Sequence, residues 1–170
     1  MKVATSNSGP LIHLATVSLV DYLFKIFNKI YIPEAVYGEI VVKGKELGYP
    51  NALIIEQAIL DEKIVVKKES EDLQNSIFSK LHPGEISAIN LALHSKSKII
   101  LLDDEEARII ARGMKLQVKG TLGLLIEVFR EGHIDFQSAV KYLEELNNLM
   151  YLSSDVFKLV EDELRRIKDK

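Results

Sequence analysis

Residues 98–108 read KIILLDDEEAR. The apolar run Ile99 to Leu102 has the length of a strand rather than of a buried helix, and two carboxylates mark its end. Asp103 suits an N-cap. Glu105 and Glu106 suit the positive end of the helix that continues past Arg108. A strand that passes through a short polar turn into a helix is the repeating unit of a parallel sheet.

The same pattern recurs on both sides. Residues 2–6 form a β-prone start closed by Ser6-Asn7-Ser8-Gly9-Pro10, with Pro10 placed for a first helical turn. Leu19 to Phe27 reads as a second apolar helix and KIYIP (29–33) as a strand. Pro33 opens a helix, EAVYGEIVV, that ends near Lys43-Gly44. Residues 51–61 read as a helix, 63–68 (KIVVKK) as a strand suited to a sheet edge, and 70–80 as a polar helix or loop. His82-Pro83-Gly84 precedes the helix EISAINLALHS. LQV (116–118) is a short strand, and Gly120 precedes the helix TLGLLIEVFRE, which stops at Gly132. Amphipathic helices follow at about 135–148 and 154–168. This alternation predicts an α/β fold in three layers, α/β/α, around a mostly parallel sheet of four or five strands. The expected organisation is one domain over residues 1–170, with its core in 1–132 and extra C-terminal helices in 133–170.

Composition narrows the function classes. Of 170 residues, 47% are hydrophobic and 28% charged, as in ordinary globular proteins. The net charge of −3 gives no support for a strongly basic nucleic-acid surface. The absence of cysteine excludes disulfides, thiolate catalysis and cysteine-ligated zinc. No apolar stretch reaches the length of a membrane span, and PLIHLATVSLV (10–20) reads as a core helix interrupted by His13 rather than as a signal peptide. The expected location is cytoplasmic.

Asn7, Glu39, Glu85 and the pair Asp103-Asp104 lie where apolar segments end or helices begin. A parallel sheet gathers the C-terminal ends of its strands at the edge where α/β folds bind ligands. Carboxylates brought together there repel one another unless a cation neutralises them, and hard oxygen donors suit Mg²⁺ or Mn²⁺. The residue pattern therefore predicts a metal-dependent site.

The ordered motifs resemble those of the PIN-domain family, in its prokaryotic branch. A D/N-[ST]-x-P-L-I opening stands as Asn7-Ser8-Gly9-Pro10-Leu11-Ile12, and P-x-x-V-x-x-E as Pro33 through Glu39. A G-E pair before an apolar helix stands as Gly84-Glu85. D-D-x-x-A-R stands as Asp103 through Arg108, and G-T-x-G as Gly120 through Gly123. The resemblance implies a metal-dependent endoribonuclease that hydrolyses RNA phosphodiester bonds with Mg²⁺ or Mn²⁺, often as the toxin of a toxin–antitoxin pair. Carried over, Asn7, Glu39, Glu85 and Asp103 fill the four catalytic and metal-binding positions, with Asp104 an adjacent candidate ligand. Ser8, Arg108 and Thr121 are the implied substrate-binding residues. RNA and an antitoxin protein are the implied partners. Separately, the apolar pattern of helices 19–27 and 50–60 suits a homodimer. The sequence departs from the pattern at Asn7, where more active-looking members carry Asp; an amide carbonyl still coordinates but brings no charge. A catalytically weak or inactive PIN-like domain that binds RNA or a partner protein is the alternative.

Each residue also has a structural reading. Asn7 is a common turn or cap residue, Glu39 an ordinary solvated helical Glu, and Glu85 a first-turn carboxylate favoured by the dipole. Asp103 or Asp104 is a natural N-cap. Arg108 and Arg112 are expected to pair with Glu105 or other acidic neighbours. His13, His82, His94 and His133 are dispersed without metal-ligand spacing, and His13 reads as a core or dimer residue. No aromatic platform for base stacking stands out. A phosphoryl-accepting domain is disfavoured, since its acidic pair would follow the first strand, which here ends in Asn7.

Overall fold

In a computed structural model, which describes residues 2–68 and 80–170, the sheet is built on β1 (Val3–Ser6), buried along its whole length. Its neighbours are β2 (Lys29–Pro33) and β4 (Ile99–Leu101), with β3 (Ile64–Lys67) and β5 (Gln117–Lys119) at the edges. All five strands pair in parallel, in the order β3-β2-β1-β4-β5. Ser6 lies in register with Leu101, and the Asn7 N–H donates to the Leu101 carbonyl at 3.2 Å. Asn7 and Asp103 therefore leave the sheet side by side at its C-terminal edge.

Successive side chains of a strand point to opposite faces, and both faces are covered. Ile100 and Leu102 pack with α6 (Pro83–His94) and α7 (Glu105–Gly113). Leu101, Ala4, Ile30 and Ile32 belong to a larger core on the other side. Residues of α1 (Ser8–Thr16), α2 (Val20–Ile26), α5 (Pro50–Leu60) and α8 (Thr121–Arg130) fill that core. The result is the three-layer α/β/α arrangement expected from the alternation of elements. The last two helices, α9 (Phe136–Met150) and α10 (Ser154–Lys168), contribute Leu143, Leu146, Val160 and Leu164 to the same core.

Three boundaries differ from expectation. α6 starts at Pro83 rather than after Gly84. α1 starts at Ser8, two residues ahead of Pro10, with Asn7 as its N-cap. The helix after Pro33 does not stop at Lys43-Gly44. It begins as α3 (Glu34–Tyr37), widens into a π-helical segment (Gly38–Lys43) and continues through α4 (Gly44–Glu46). Gly44 is a packing position rather than a stop: a Cβ there would stand 2.9 Å from the Cβ of Ala52 on α5. The chain turns instead at Gly48, whose φ is +74°. The polar segment read at 70–80 lies outside the described residues apart from Lys80. β3 does occupy a sheet edge, as its polar flanks suggested.

Among the described residues no single helix is long and apolar enough to cross a membrane; α1 and α2 meet at a bend of 119°, and each sends its buried side chains into the core.

The shared core makes a prediction about α9. Leu143 is fully buried, so Leu143→Ala is expected to destabilise the fold by about 2–5 kcal/mol in urea unfolding. Leu60→Ala, at a side chain 71% exposed, is expected to stay within about 0.5 kcal/mol of wild type. Equal effects at the two positions would mean that α9 is not part of the folding unit.

Candidate functional site

Asp103 is the best-held acidic side chain at the sheet edge. Its Oδ1 accepts the main-chain N–H of Thr121 at 2.7 Å, and its Oδ2 accepts the Thr121 hydroxyl at 2.6 Å and Nδ1 of His13 at 2.8 Å. A carboxylate only accepts, so His13 carries its proton on Nδ1 here. Burial pushes the Asp103 carboxyl up. The hydrogen bonds from His13 and from the side chain and backbone of Thr121 outweigh that and hold it below its ordinary 3.8. Asp104 does the capping instead: its Oδ1 accepts the N–H of Ala107 at 2.8 Å, and the side chain faces solvent. Of the two adjacent acids, one is thus turned into the site and the other starts α7.

Asn7 adjoins Asp103. Its side chain makes no capping bond to α1, and its Oδ1 is buried without a hydrogen-bond partner among the described residues. Both groups flank Gly9, where an added Cβ would stand 3.7 Å from Asn7 Oδ1 and 3.5 Å from Asp103 Oδ2. An unsatisfied buried oxygen costs about 1–3 kcal/mol. The cap reading therefore does not account for the Asn7 side chain.

Glu39 and Glu85 form a second cluster. Ser8 donates its hydroxyl to Glu39 Oε2, and His82 Nδ1 lies 3.1 Å from Glu39 Oε1. The same nitrogen faces the Gly84 N–H at 3.4 Å. It accepts from Gly84 only when unprotonated and donates to Glu39 only when protonated, so the two contacts exclude each other. Gly84 is required for this approach, since a Cβ there would stand 2.7 Å from Glu39 Oε1. Glu85 Oε2 accepts the main-chain N–H of His82 at 3.0 Å, completing a capping box for α6. Burial raises the Glu85 carboxyl above its ordinary 4.5 against that hydrogen bond, and the charges of Asp104 and Glu39 raise it further. Glu39 itself sits in the π-helical segment, a kind of wide turn frequent at functional sites.

Ser8 joins the two clusters, because it follows Asn7 in the chain and bonds to Glu39. Among the described residues no three carboxylate or imidazole groups close around one point. The donors nevertheless fit a hard cation. They are oxygens, one of them is buried without a partner among the described residues, and burial first, then the charges of Asp104 and Glu39, raise the Glu85 carboxyl.

Of the three residues expected to meet substrate, Thr121 and Ser8 have their hydroxyls engaged within the protein, and the Arg108 Nε is not so engaged among the described residues. Thr121 is fully buried and both its donors serve Asp103, so it positions the carboxylate rather than contacting a ligand. The Ser8 hydroxyl is engaged by Glu39. Arg108 departs from the pairing expected for it. Among the described residues neither it nor Arg112 makes an ion pair, and the Arg108 Nε is buried without a partner. Asp103, Arg108 and Thr121 border a cavity of about 760 Å³, whose far wall carries Leu152, Val156 and Leu159.

Two neighbours of these carboxylates, His13 and His82, are missing from the motif-based set. The histidines are dispersed in sequence, yet His13 lies one helical turn beyond Gly9, and His82 stands three residues before Glu85 at capping-box spacing. Those spacings are the signals that would have found them.

A family model described as DUF3368, PIN domain, matches residues 3–166. No curated protein and no solved structure matches the chain.

The hold of Thr121 on Asp103 has a pH signature. Because the native carboxyl lies below its ordinary 3.8, its charged form stabilises the fold. That stabilisation is present above the ordinary value and is lost as pH falls through the lowered one. Thr121→Val removes a hydroxyl donor to a charged acceptor and is expected to cost about 1.5–3 kcal/mol at pH 7. The gap from wild type should narrow on acidification through that range in urea unfolding. A gap that did not change with pH would contradict the assignment.

Proposed function

The chain belongs to the PIN-domain family, a nuclease-type fold whose members generally depend on divalent metal, and on that premise we propose that it is a Mg²⁺- or Mn²⁺-dependent endoribonuclease. The observation that carries the reading is the buried, unpartnered Oδ1 of Asn7 beside the Asp103 carboxylate, at the edge where β1 and β4 end. Asn7, Glu39, Glu85 and Asp103 would hold the ion, with Asp104 nearby. The ion supplies charge to offset that developing on the phosphoryl oxygens, and a water made more acidic. Arg108, with no ion-pair partner among the described residues, would orient the phosphate through its guanidinium. His13 and Thr121 hold Asp103, and Ser8 holds Glu39, so the two carboxylates keep their places without the substrate.

A role as the toxin of a toxin–antitoxin pair belongs to the same proposal, as does a homodimer. α2 buries Val20, Leu23 and Ile26, which leaves α5 and the segment before it as the exposed apolar side. Leu47, Tyr49, Leu53 and Leu60 stand out there and support a second copy as partner.

Asn7 favours a second reading, in which the domain binds RNA or a protein with little or no cleavage. It brings no charge to a position where a carboxylate would strengthen cation binding.

Incubation of generic RNA with the protein and Mn²⁺ tests the first reading. Wild type is expected to cleave and Asp103→Asn to lose at least about 100-fold in rate, the loss of one main electrostatic contributor. Equal cleavage by both would remove this site from the chemistry. A silent wild type with RNA binding that persists in chelator would support the second reading. Asn7→Asp is expected to tighten Mn²⁺ binding under either, measured by calorimetry; unchanged affinity would place the ion elsewhere.

A further inference from the structure

The number of donors on Asp103 limits what it can offer a ligand. A carboxylate has about four lone-pair positions. His13 Nδ1 and the Thr121 hydroxyl occupy Oδ2, and the Thr121 N–H occupies one position of Oδ1. One position, on Oδ1, is left. His13 lies in the last turn of α1, the helix whose N-cap is Asn7, so a single helix carries the amide at its start and, further along, the donor that fixes the carboxylate. The His13 ring is partly open to solvent, at 24% exposure, so its contact with Asp103 is not forced by burial in the apolar core.

We propose that His13 is a positioning residue of the candidate site, whose Nδ1–H fixes Asp103 so that the carboxylate presents a single oxygen to a cation. The inference rests on the metal-dependent reading above. Single-oxygen carboxylate contacts suit the small octahedral Mg²⁺ and Mn²⁺, which keep several waters, whereas Ca²⁺ readily takes both oxygens of one carboxylate. His13 thereby sets which cation the site prefers as well as how firmly it is held. Hydrogen bonds behind a ligating group commonly change metal affinity 10–100-fold when removed.

The test compares wild type, His13→Ala, His13→Asn and Asp103→Ala by calorimetry with Mn²⁺ and with Ca²⁺, alongside ¹⁵N NMR of the imidazole. His13→Asn returns an amide N–H near the place of Nδ1. The expected results are Mn²⁺ binding weakened about tenfold in His13→Ala, recovery in His13→Asn, and a smaller loss for Ca²⁺ than for Mn²⁺. The wild-type His13 signal is expected to be that of the Nδ1-protonated ring. A merely structural tie between α1 and the sheet would lower the melting temperature without changing the ratio of the two affinities. Equal Mn²⁺ affinity in wild type and His13→Ala, with loss in Asp103→Ala, would overturn the role of His13 and leave the metal reading intact. Absence of Mn²⁺ binding by wild type would overturn both. An Nε2-protonated ring in wild type would overturn the hydrogen bond itself, whether or not His13→Ala folds.

Discussion

A carboxylate taken out of water at the end of a strand is tolerable only when donors surround it, and Asp103 has three. Those donors come from separate parts of the chain. Thr121 opens α8 and His13 lies on α1, while Asp103 itself stands two residues past the end of β4. Joining them fixes the exits of β1, β4 and β5 relative to one another at one edge of the sheet. The hold is electrostatic as well as steric, because the hydrogen bonds overcome the effect of burial and keep the group charged. Asn7 takes its place beside that charge through the β1–β4 register, and Arg108 lies next to it because α7 begins two residues after Asp103.

The site has two halves with different tension. Around Asp103 the protein supplies nearly every donor the carboxylate can accept. Around Glu39 and Glu85 it supplies fewer, and burial, with the charges of Asp104 and Glu39 added to it, raises the Glu85 carboxyl. A cation between the halves would relieve the second without disturbing the first. The neutral Asn7 reduces the charge of the whole set, which fits a site where the first half is held in place before any ion arrives. The cavity bordered by Arg108 continues to α10, so the C-terminal helices serve both the core, through Val160 and Leu164, and the wall beside the site, through Val156 and Leu159.

Much of this was legible in the sequence, for physical reasons. KIILL followed by two acids announces a buried parallel strand and its exit, and the same reading placed β1, β2, β3 and β5 near their observed positions. Glycine was harder, because its two uses look alike in a sequence. Gly44 resembled a helix stop and is a contact point for Ala52; Gly84 resembled loop punctuation and makes room for Glu39. The π-helical turn at Gly38–Lys43 has no compositional mark at all. Thr121 was recognised as part of a motif, but its partner was not, since hydrogen bonds between residues 18 apart depend on the register of β4 and β5. His13 and His82 were obscured by the same cause. Each is ordinary in its own helix and gains meaning only from a carboxylate that tertiary structure delivers.

On the proposed reading, a divalent cation would sit between Asn7, Asp103, Glu39 and Glu85. Anomalous scattering from crystals soaked in Mn²⁺ locates such an ion without reference to activity. A single strong peak is expected at the C-terminal edge of the sheet, within coordination or one-water distance of the Asn7 and Asp103 oxygens. A peak elsewhere, or none at a concentration that saturates related oxygen-ligand sites, would contradict it.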